Sequence, residues 1–360
     1  MGNLFGNHFI TKAVALTLGV AAFSAAADAQ QVIKLTVIAG HPPATAGVAN
    51  LSKVFIPEVD KALAADGKYK IEWTQAYGGT VAKPPAVFEA VESGIGDIGY
   101  VPTLFEADKL PLEQISYVAP FGSTDATKII EVMKKLREQI PEMNQAFARH
   151  RQVYLASVSI DNYQIISKEP IPNLAALKGR KLGAPGLAAN WIRNTGAVPV
   201  AGNLTEYFNS MKTGVYDGVI VFESAIRGYR FHEVAPYINK VDIGATYASA
   251  VTMNAPRFNR LPKPVQAAIV RAGQVYEQAV NKETLETAKT AVAVVVKEGA
   301  KVITWPEEDR RKLAAAIPNF AKTWAAELDK KKLPGTKLLN TYMELSRAAS
   351  VQHARAWDKE

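Results

Sequence analysis

Residues 181–222 read KLGAPGLAANWIRNTGAVPVAGNLTEYFNSMKTGVYDGVIVF, and their punctuation sets the architecture. Lys181, Leu182, Gly183 and Ala184 form a short strand that Pro185 and Gly186 stop. A helix is expected over 187–195, with Gly196 as its C-terminal stop. A strand follows over 198–201. Asn203 then opens a helix that Gly214 ends, and Gly218 to Phe222 is a strand of mostly apolar residues. Strand, helix, strand, helix, strand at this spacing is the signature of an α/β layer.

Upstream the same rhythm recurs. Strands are expected over 32–39, 69–73 and 95–101, with helices over 47–63 and 85–92; Pro57 is a flaw in the first helix. Such a sheet is largely parallel, and ligands sit at the carboxyl ends of its strands. Those ends are residues 41–47, 77–83 and 101–105. A helix over 124–139, capped by Thr124 or Asp125, leads to strands over 152–159 and 164–167, interrupted at Asp161, Asn162 and Tyr163. A β-type run over 246–253 returns toward the first sheet. Residues 262–298 read as one long helix with Gly273 as its only interior glycine, and Leu338 to Lys359 reads as the last helix. The expected fold is α/β: a two-lobed clamshell with multiple crossovers, a long lobe-spanning helix and C-terminal helices. Residues 31–159 with a return segment 248–287 form the first lobe. Residues 160–247 with C-terminal helices 288–360 form the second.

Residues 1–29 read as a cleaved secretory signal: Lys12, an apolar run over 13–22 and a small-x-small site at Ala27-Asp28-Ala29. That run is too short to span a membrane. Export to a periplasm is the expected localisation. The 360 residues carry a net charge of +8 and 48% hydrophobic residues, which excludes a disordered chain and leaves room for two cores. There is no cysteine, so thiolate metal sites, iron–sulfur ligation, disulfides and cysteine nucleophiles are excluded.

Chemistry-bearing motifs are scarce. Beyond the leader the histidines are His41, His150, His232 and His353, none paired at helical spacing. No H-E-x-x-H, G-x-S-x-G, phosphate-binding loop or dinucleotide fingerprint occurs. Neither enzyme activity, cofactor nor metal is expected. Lysines and arginines are interspersed with acids, with no basic run beyond Arg310-Arg311-Lys312 and Lys330-Lys331-Lys332, so no nucleic-acid partner is expected either.

Several motifs together resemble a known family. They are Leu177-Lys178-Gly179, Gly196-Ala197-Val198-Pro199-Val200, Glu206-Tyr207, Gly214-Val215-Tyr216-Asp217-Gly218, the run Phe231 to Tyr237, and Asn254 followed by Phe258-Asn259-Arg260-Leu261-Pro262. Their order and spacing are similar to DctP-type substrate-binding proteins of TRAP transporters. The resemblance implies a periplasmic receptor that closes on a small organic acid and delivers it to a permease of two membrane subunits, coupled to sodium. A monomer is expected, with a dimer as the alternative.

The family usually places an arginine after the strand opened by Leu-Lys-Gly, where its planar fork grips a carboxylate. Gly183 stands at that position, and Ile220-Val221-Phe222 replaces a Glu-Asn-Pro pattern. The expectation is therefore a more apolar pocket, suited to an aromatic or otherwise hydrophobic monocarboxylate. Tyr77, Tyr163, Trp191 and Phe222 are candidate walls. Asn162, Arg193 or the helix start near 187–190 would replace the arginine, and Glu206, Tyr207, Glu223 and Asn254 complete the candidates. The competing assignments are core packing for Trp191, Tyr77 and Phe222, a surface position for Arg193, and a helix-start role for Glu206. The alternative functions are an ABC-type solute-binding protein, a ligand-sensing module or an exported α/β enzyme. The hinge is expected near 159–162 and 247–250, with bending in the long helix.

Overall fold

The computed structural model describes residues 30–65 and 67–360, so the expected leader lies outside the described residues. Among the described residues nine strands form one sheet: β1 (Gln31–Ala39), β2 (Tyr69–Ala76), β3 (Ile98–Val101), β4 (Gln152–Ser167), β5 (Lys181–Ala184), β6 (Val198–Ala201), β7 (Gly218–Phe222), β8 (Tyr237–Asn254) and β9 (Lys301–Thr304). Their order is β2-β1-β3-β8-β4-β7-β5-β6, with β9 beside β8. The two outer sets are parallel, as the strand–helix rhythm requires. The middle is not: β3–β8, β8–β4 and β4–β7 are antiparallel, so the sheet is mixed rather than largely parallel.

The departure arises from two long strands. β4 runs 16 residues without a break and β8 runs 18, where the sequence suggested an interrupted strand and an eight-residue one. The polar residues that looked like a turn are satisfied inside the sheet. Asn162 donates to Asp242 Oδ1 at 2.7 Å and accepts from the Gly244 amide at 3.0 Å. Their cost shows as bulges: the β4–β8 register shifts four times, at 154/156, 158/159, 160/163 and 163/165. Ser159 faces Tyr247 there, so the two segments expected to flex are paired with each other.

Helices follow the local signals, with informative exceptions. The helix over 46–64 contains a π-helical turn, Leu51–Phe55, directly before Pro57, whose missing N–H and ring disturb the preceding turn. Asp125 caps Ala126–Gln139 by accepting from the Thr127 amide. The expected helix over 187–195 is a 3₁₀ segment, Gly186–Ile192. The last helix, Gly335–Ala348, stops well before Lys359. The tail turns back instead: Trp357 is fully buried, its indole N–H donates to the Pro120 carbonyl at 2.9 Å, and the Ala354 amide donates to Phe121.

Lys263–Lys297 is a single 35-residue helix. Val265, Ile269, Ala272, Tyr276 and Val280 pack in the core around β1 and β3, whereas Val295 joins the other core. Gly273 is fixed by close approach, since a Cβ there would stand 2.6 Å from the Leu155 carbonyl of β4. The largest core joins residues of β5, β7 and the C-terminal helices with residues 104–143, a stretch that the sequence-based division placed in the first lobe. Among the described residues no helix is long and apolar enough to cross a membrane.

Candidate functional site

Strand ends converge on one cavity. β1 delivers His41 and Thr45, β3 delivers Tyr100, Pro102, Leu104 and Phe105, and β5 delivers Pro185. β7 contributes Ile220, Val221 and Phe222, and the crossing strands contribute Ile160, Tyr163, Ala248 and Ser249. Leu204 and Tyr207 close it from the helix Leu204–Lys212. Carboxyl ends of parallel strands are where an α/β fold leaves room for a ligand. Two of the three segments expected on that ground, 41–47 and 101–105, line this cavity; 77–83 does not.

The cavity measures about 30 Å³ and opens beside a second chamber of about 140 Å³. Thr45, Tyr100, Ile160 and Phe222 border both. The second chamber is more polar, lined among others by Lys53, Ser159, Ser224, Glu283 and Thr284. A hydrogen bond of 2.8 Å between the Thr45 and Tyr229 hydroxyls ties the loop after β1 to the segment after the helix Glu223–Gly228.

Aromatic rings build the far wall. Tyr163 stands edge-on to Trp191 at 5.0 Å and to Phe222 at 5.7 Å, and its hydroxyl meets that of Tyr117 at 2.9 Å. Trp191 stacks on Tyr117 at 5.4 Å and donates to the Tyr117 carbonyl. Edge and stacked contacts of this kind fix ring orientation as well as burying area. Burial keeps the phenols neutral, pushing Tyr100 and Tyr117 up to about 12 and Tyr163 and Tyr207 well above their usual range. Among the described residues no lysine, arginine, aspartate or glutamate lines this cavity.

Of the ten residues expected from sequence, Tyr163, Tyr207 and Phe222 line this cavity. Trp191 is fully buried behind Tyr163. Arg193 is exposed beyond the 3₁₀ segment, and Glu206 is exposed in the first turn of its helix. Tyr77 is half-buried on the core around β1, with its hydroxyl 3.3 Å from Ser52 Oγ. Asn162 is engaged within the sheet. Glu223 accepts from Gln164 Nε2 at 2.7 Å, with Lys240 Nζ at 3.7 Å. Asn254 caps the helix Ala255–Arg260 and donates to the Val91 carbonyl. At Gly183 a Cβ would meet the Tyr216 ring and Val219, each at 3.1 Å, so tyrosine fills the space into which a side chain there would project. Among the polar residues of the lining, sequence reasoning missed His41, Thr45, Tyr100 and Ser249. Only the strand-end segment 41–47 pointed to the first two.

Asp161 sits at the bulge beneath this wall. It is 1% exposed, Oδ1 accepts from the Ser224 amide at 3.2 Å, and Oδ2 has no partner. Burial pushes its carboxyl up to about 7. The native state therefore holds a proton that the unfolded chain has released. Stability from this group falls as pH rises from about 4 to about 7. Asp161→Asn should gain on the native protein across that window, by up to about 1.4 kcal/mol per pH unit. Parallel curves of unfolding free energy against pH would contradict it.

The sequence pattern of the family described as bacterial extracellular solute-binding protein, family 7, matches residues 55–327. A solute-binding protein of Sulfitobacter sp. (strain NAS-14.1) is 29% identical over 168 residues, 46% of this chain and 50% of that protein, so the match spans half of that relative's length. Among solved structures, a Bordetella pertussis extracytoplasmic solute receptor binding pyroglutamic acid is 23% identical with a TM-score of 0.74, covering 86% of this chain and 99% of that one. A TRAP solute-binding protein of Rhodoferax ferrireducens, in complex with copurified benzoate, is 18% identical with a TM-score of 0.78, covering 88% and 98%. A marine-metagenome TRAP solute-binding protein specific for aromatic acids, in complex with 3-hydroxybenzoate, is 19% identical with a TM-score of 0.76, covering 89% and 99%. At these identities the likeness speaks for the two-lobed fold.

Proposed function

This chain belongs to the bacterial extracellular solute-binding protein family 7, and on that premise we propose that it is a periplasmic receptor for a small, flat, largely apolar monocarboxylate. It hands this ligand, unreacted, to a TRAP permease of two membrane subunits. The observation that carries the reading is the cavity between strand ends, walled by Tyr163, Tyr207, Phe222 and Ile220, with no lysine, arginine, aspartate or glutamate among the described residues of its lining. An apolar wall with a few polar groups selects a ligand that is apolar over most of its surface and polar at one edge. A dicarboxylate or a uronate would leave charges or hydroxyls against Ile220, Val221 and Leu204, at the cost of unpaired burial. The benzoate and 3-hydroxybenzoate complexes of two structural relatives agree with this class.

Binding would work by closure. At about 30 Å³ the cavity has room for a water-sized body, so the lobes must part to admit an acid. The bulged pairing of Ser159 with Tyr247 and the 35-residue helix are where that motion would concentrate. A ligand contacting both sides then favours the closed population. A division into two lobes, with residues 104–143 packed on the second and the crossings as hinge, is part of this proposal.

A thermal-shift series tests it. Benzoate, 3-hydroxybenzoate, pyroglutamate, succinate and galacturonate are compared at equal concentration. The aromatic acids should raise the transition; a ligand at 100 times its Kd adds about 2.7 kcal/mol. Stabilisation by succinate or galacturonate alone would overturn the ligand class. An enzyme or a sensor would reveal itself by turnover of the bound acid, or by normal uptake in a strain lacking this protein.

A further inference from the structure

We infer that His41 is the residue that meets the ligand's carboxylate, and that it takes up a proton from solvent as the acid anion binds. The inference rests on the proposed receptor function and adds to it the anchoring group and its chemistry. His41 lines the cavity just after the end of β1, is 5% exposed, and its Nδ1 has no hydrogen-bond partner. A buried polar atom left unpaired is costly, and a ligand oxygen would satisfy it.

Charge balance points the same way. An anion enclosed by apolar walls needs an opposite charge or dense hydrogen bonding. Position 183 is glycine, Arg193 is on the surface, and no cation lines the cavity. The groups that share the cavity with His41 come from every surrounding element. Tyr100 of β3 stands edge-on to it at 6.0 Å, Ser249 comes from β8, Tyr163 from β4, and Tyr207 from its helix. Thr45, on the histidine's own loop, is held by Tyr229. All are neutral, because burial raises each of these phenols. The charged pair Lys53 and Glu283 lies in the second chamber with its ions 3.9 Å apart, and the Asp161 carboxyl, pushed by burial up to about 7, sits at the bulge between the lining residues Ile160 and Tyr163.

Burial alone holds the His41 imidazole down at about 4, so at neutral pH it is uncharged in the ligand-free protein. A carboxylate placed beside it favours the charged form and raises that value. The step balances: neutral imidazole, one solvent proton and the acid anion become an imidazolium–carboxylate pair, with no other bond made or broken. Between the two values, binding consumes a proton, and affinity falls up to tenfold for each unit that pH rises.

The test is calorimetric titration with benzoate from pH 5.5 to 8, in buffers of different ionisation heat, on the native protein and on His41→Gln. Native protein should bind more tightly at pH 5.5 and take up close to one proton. The variant should bind more weakly at pH 5.5, with a flat pH profile and no proton uptake. Uptake that persists in the variant would mean that the acid carries its own proton or that Asp161 beneath the wall takes it up, and either would overturn the role of His41. A flat profile in the native protein would overturn it too, since neutral donors would then suffice. If no carboxylate of the thermal-shift series binds the native protein, the receptor reading falls along with it. Nitrogen-15 shifts of the histidine rings, read on the native protein with and without benzoate at pH 7, serve if His41→Gln does not fold. One ring should become doubly protonated on binding, and unchanged shifts would overturn the assignment.

Discussion

Arg137→Ala should lose about 3–5 kcal/mol of unfolding free energy, the largest single loss expected from a charged residue in this chain. Arg137 sits near the end of the helix Ala126–Gln139 yet is only 7% exposed. It pairs with Glu113, which is 1% exposed, and donates to the Tyr247 hydroxyl at 3.2 Å and to Asn144 at 3.3 Å. Its guanidinium also lies 4.2 Å from the centre of the Tyr154 ring. The two tyrosines it contacts, Tyr154 through its ring and Tyr247 through its hydroxyl, belong to the crossing strands β4 and β8. Truncating the arginine leaves the Glu113 carboxylate buried without a counter-ion, which costs more than the pair itself contributes. Arg137 Nε and Glu113 Oε1 already lack partners, so the pair is not fully satisfied. The double variant Arg137→Met with Glu113→Leu should therefore recover most of the loss. Urea unfolding of the two single variants and the double settles it. A single-variant loss below about 1 kcal/mol would mean that the pair behaves as a surface bridge.

What the sequence showed clearly is what local chemistry dictates. β5, β6 and β7 match residue for residue because Pro185, Gly186, Gly202 and Gly214 stop each element within its own neighbourhood. The crossing strands were harder. Asp161 and Asn162 carry turn-like side chains, and only their long-range partners, Ser224, Asp242 and Gly244, let a strand pass through them. Residues 349–359 look helical, but burial of Trp357 against Pro120 wins over propensity. The site divides in the same way. Phe222, Tyr207 and Tyr163 were found because they border recognisable motifs. His41 and Tyr100 are ordinary in sequence, and become neighbours only when β1 and β3 pair. Arg193 shows the limit of substituting one cation for another by proximity in sequence: the tight 3₁₀ winding of Gly186–Ile192 ends with it facing solvent.

Trp191 gives the second large effect, and it separates support of the wall from contact with ligand. Trp191→Ala should cost about 3–5 kcal/mol, the usual range for emptying a buried aromatic site. The indole is fully buried, stacks on Tyr117, abuts Tyr163 and donates to the Tyr117 carbonyl at 2.8 Å. Trp191→Phe keeps a ring but removes that donor, for a smaller loss of about 1–3 kcal/mol. Trp191 itself does not line the cavity; Tyr163 stands between. Benzoate affinity should therefore change little in Trp191→Phe, where Tyr163 is still braced. It should fall in Trp191→Ala, where the Tyr163 ring can move into the space left behind. Stability and affinity, measured on both variants by urea unfolding and calorimetry, give the two readouts. If Trp191→Phe lost about tenfold in affinity with its stability intact, a change of about 1.4 kcal/mol in binding alone, the indole would be touching the ligand and the wall would have to be redrawn around it.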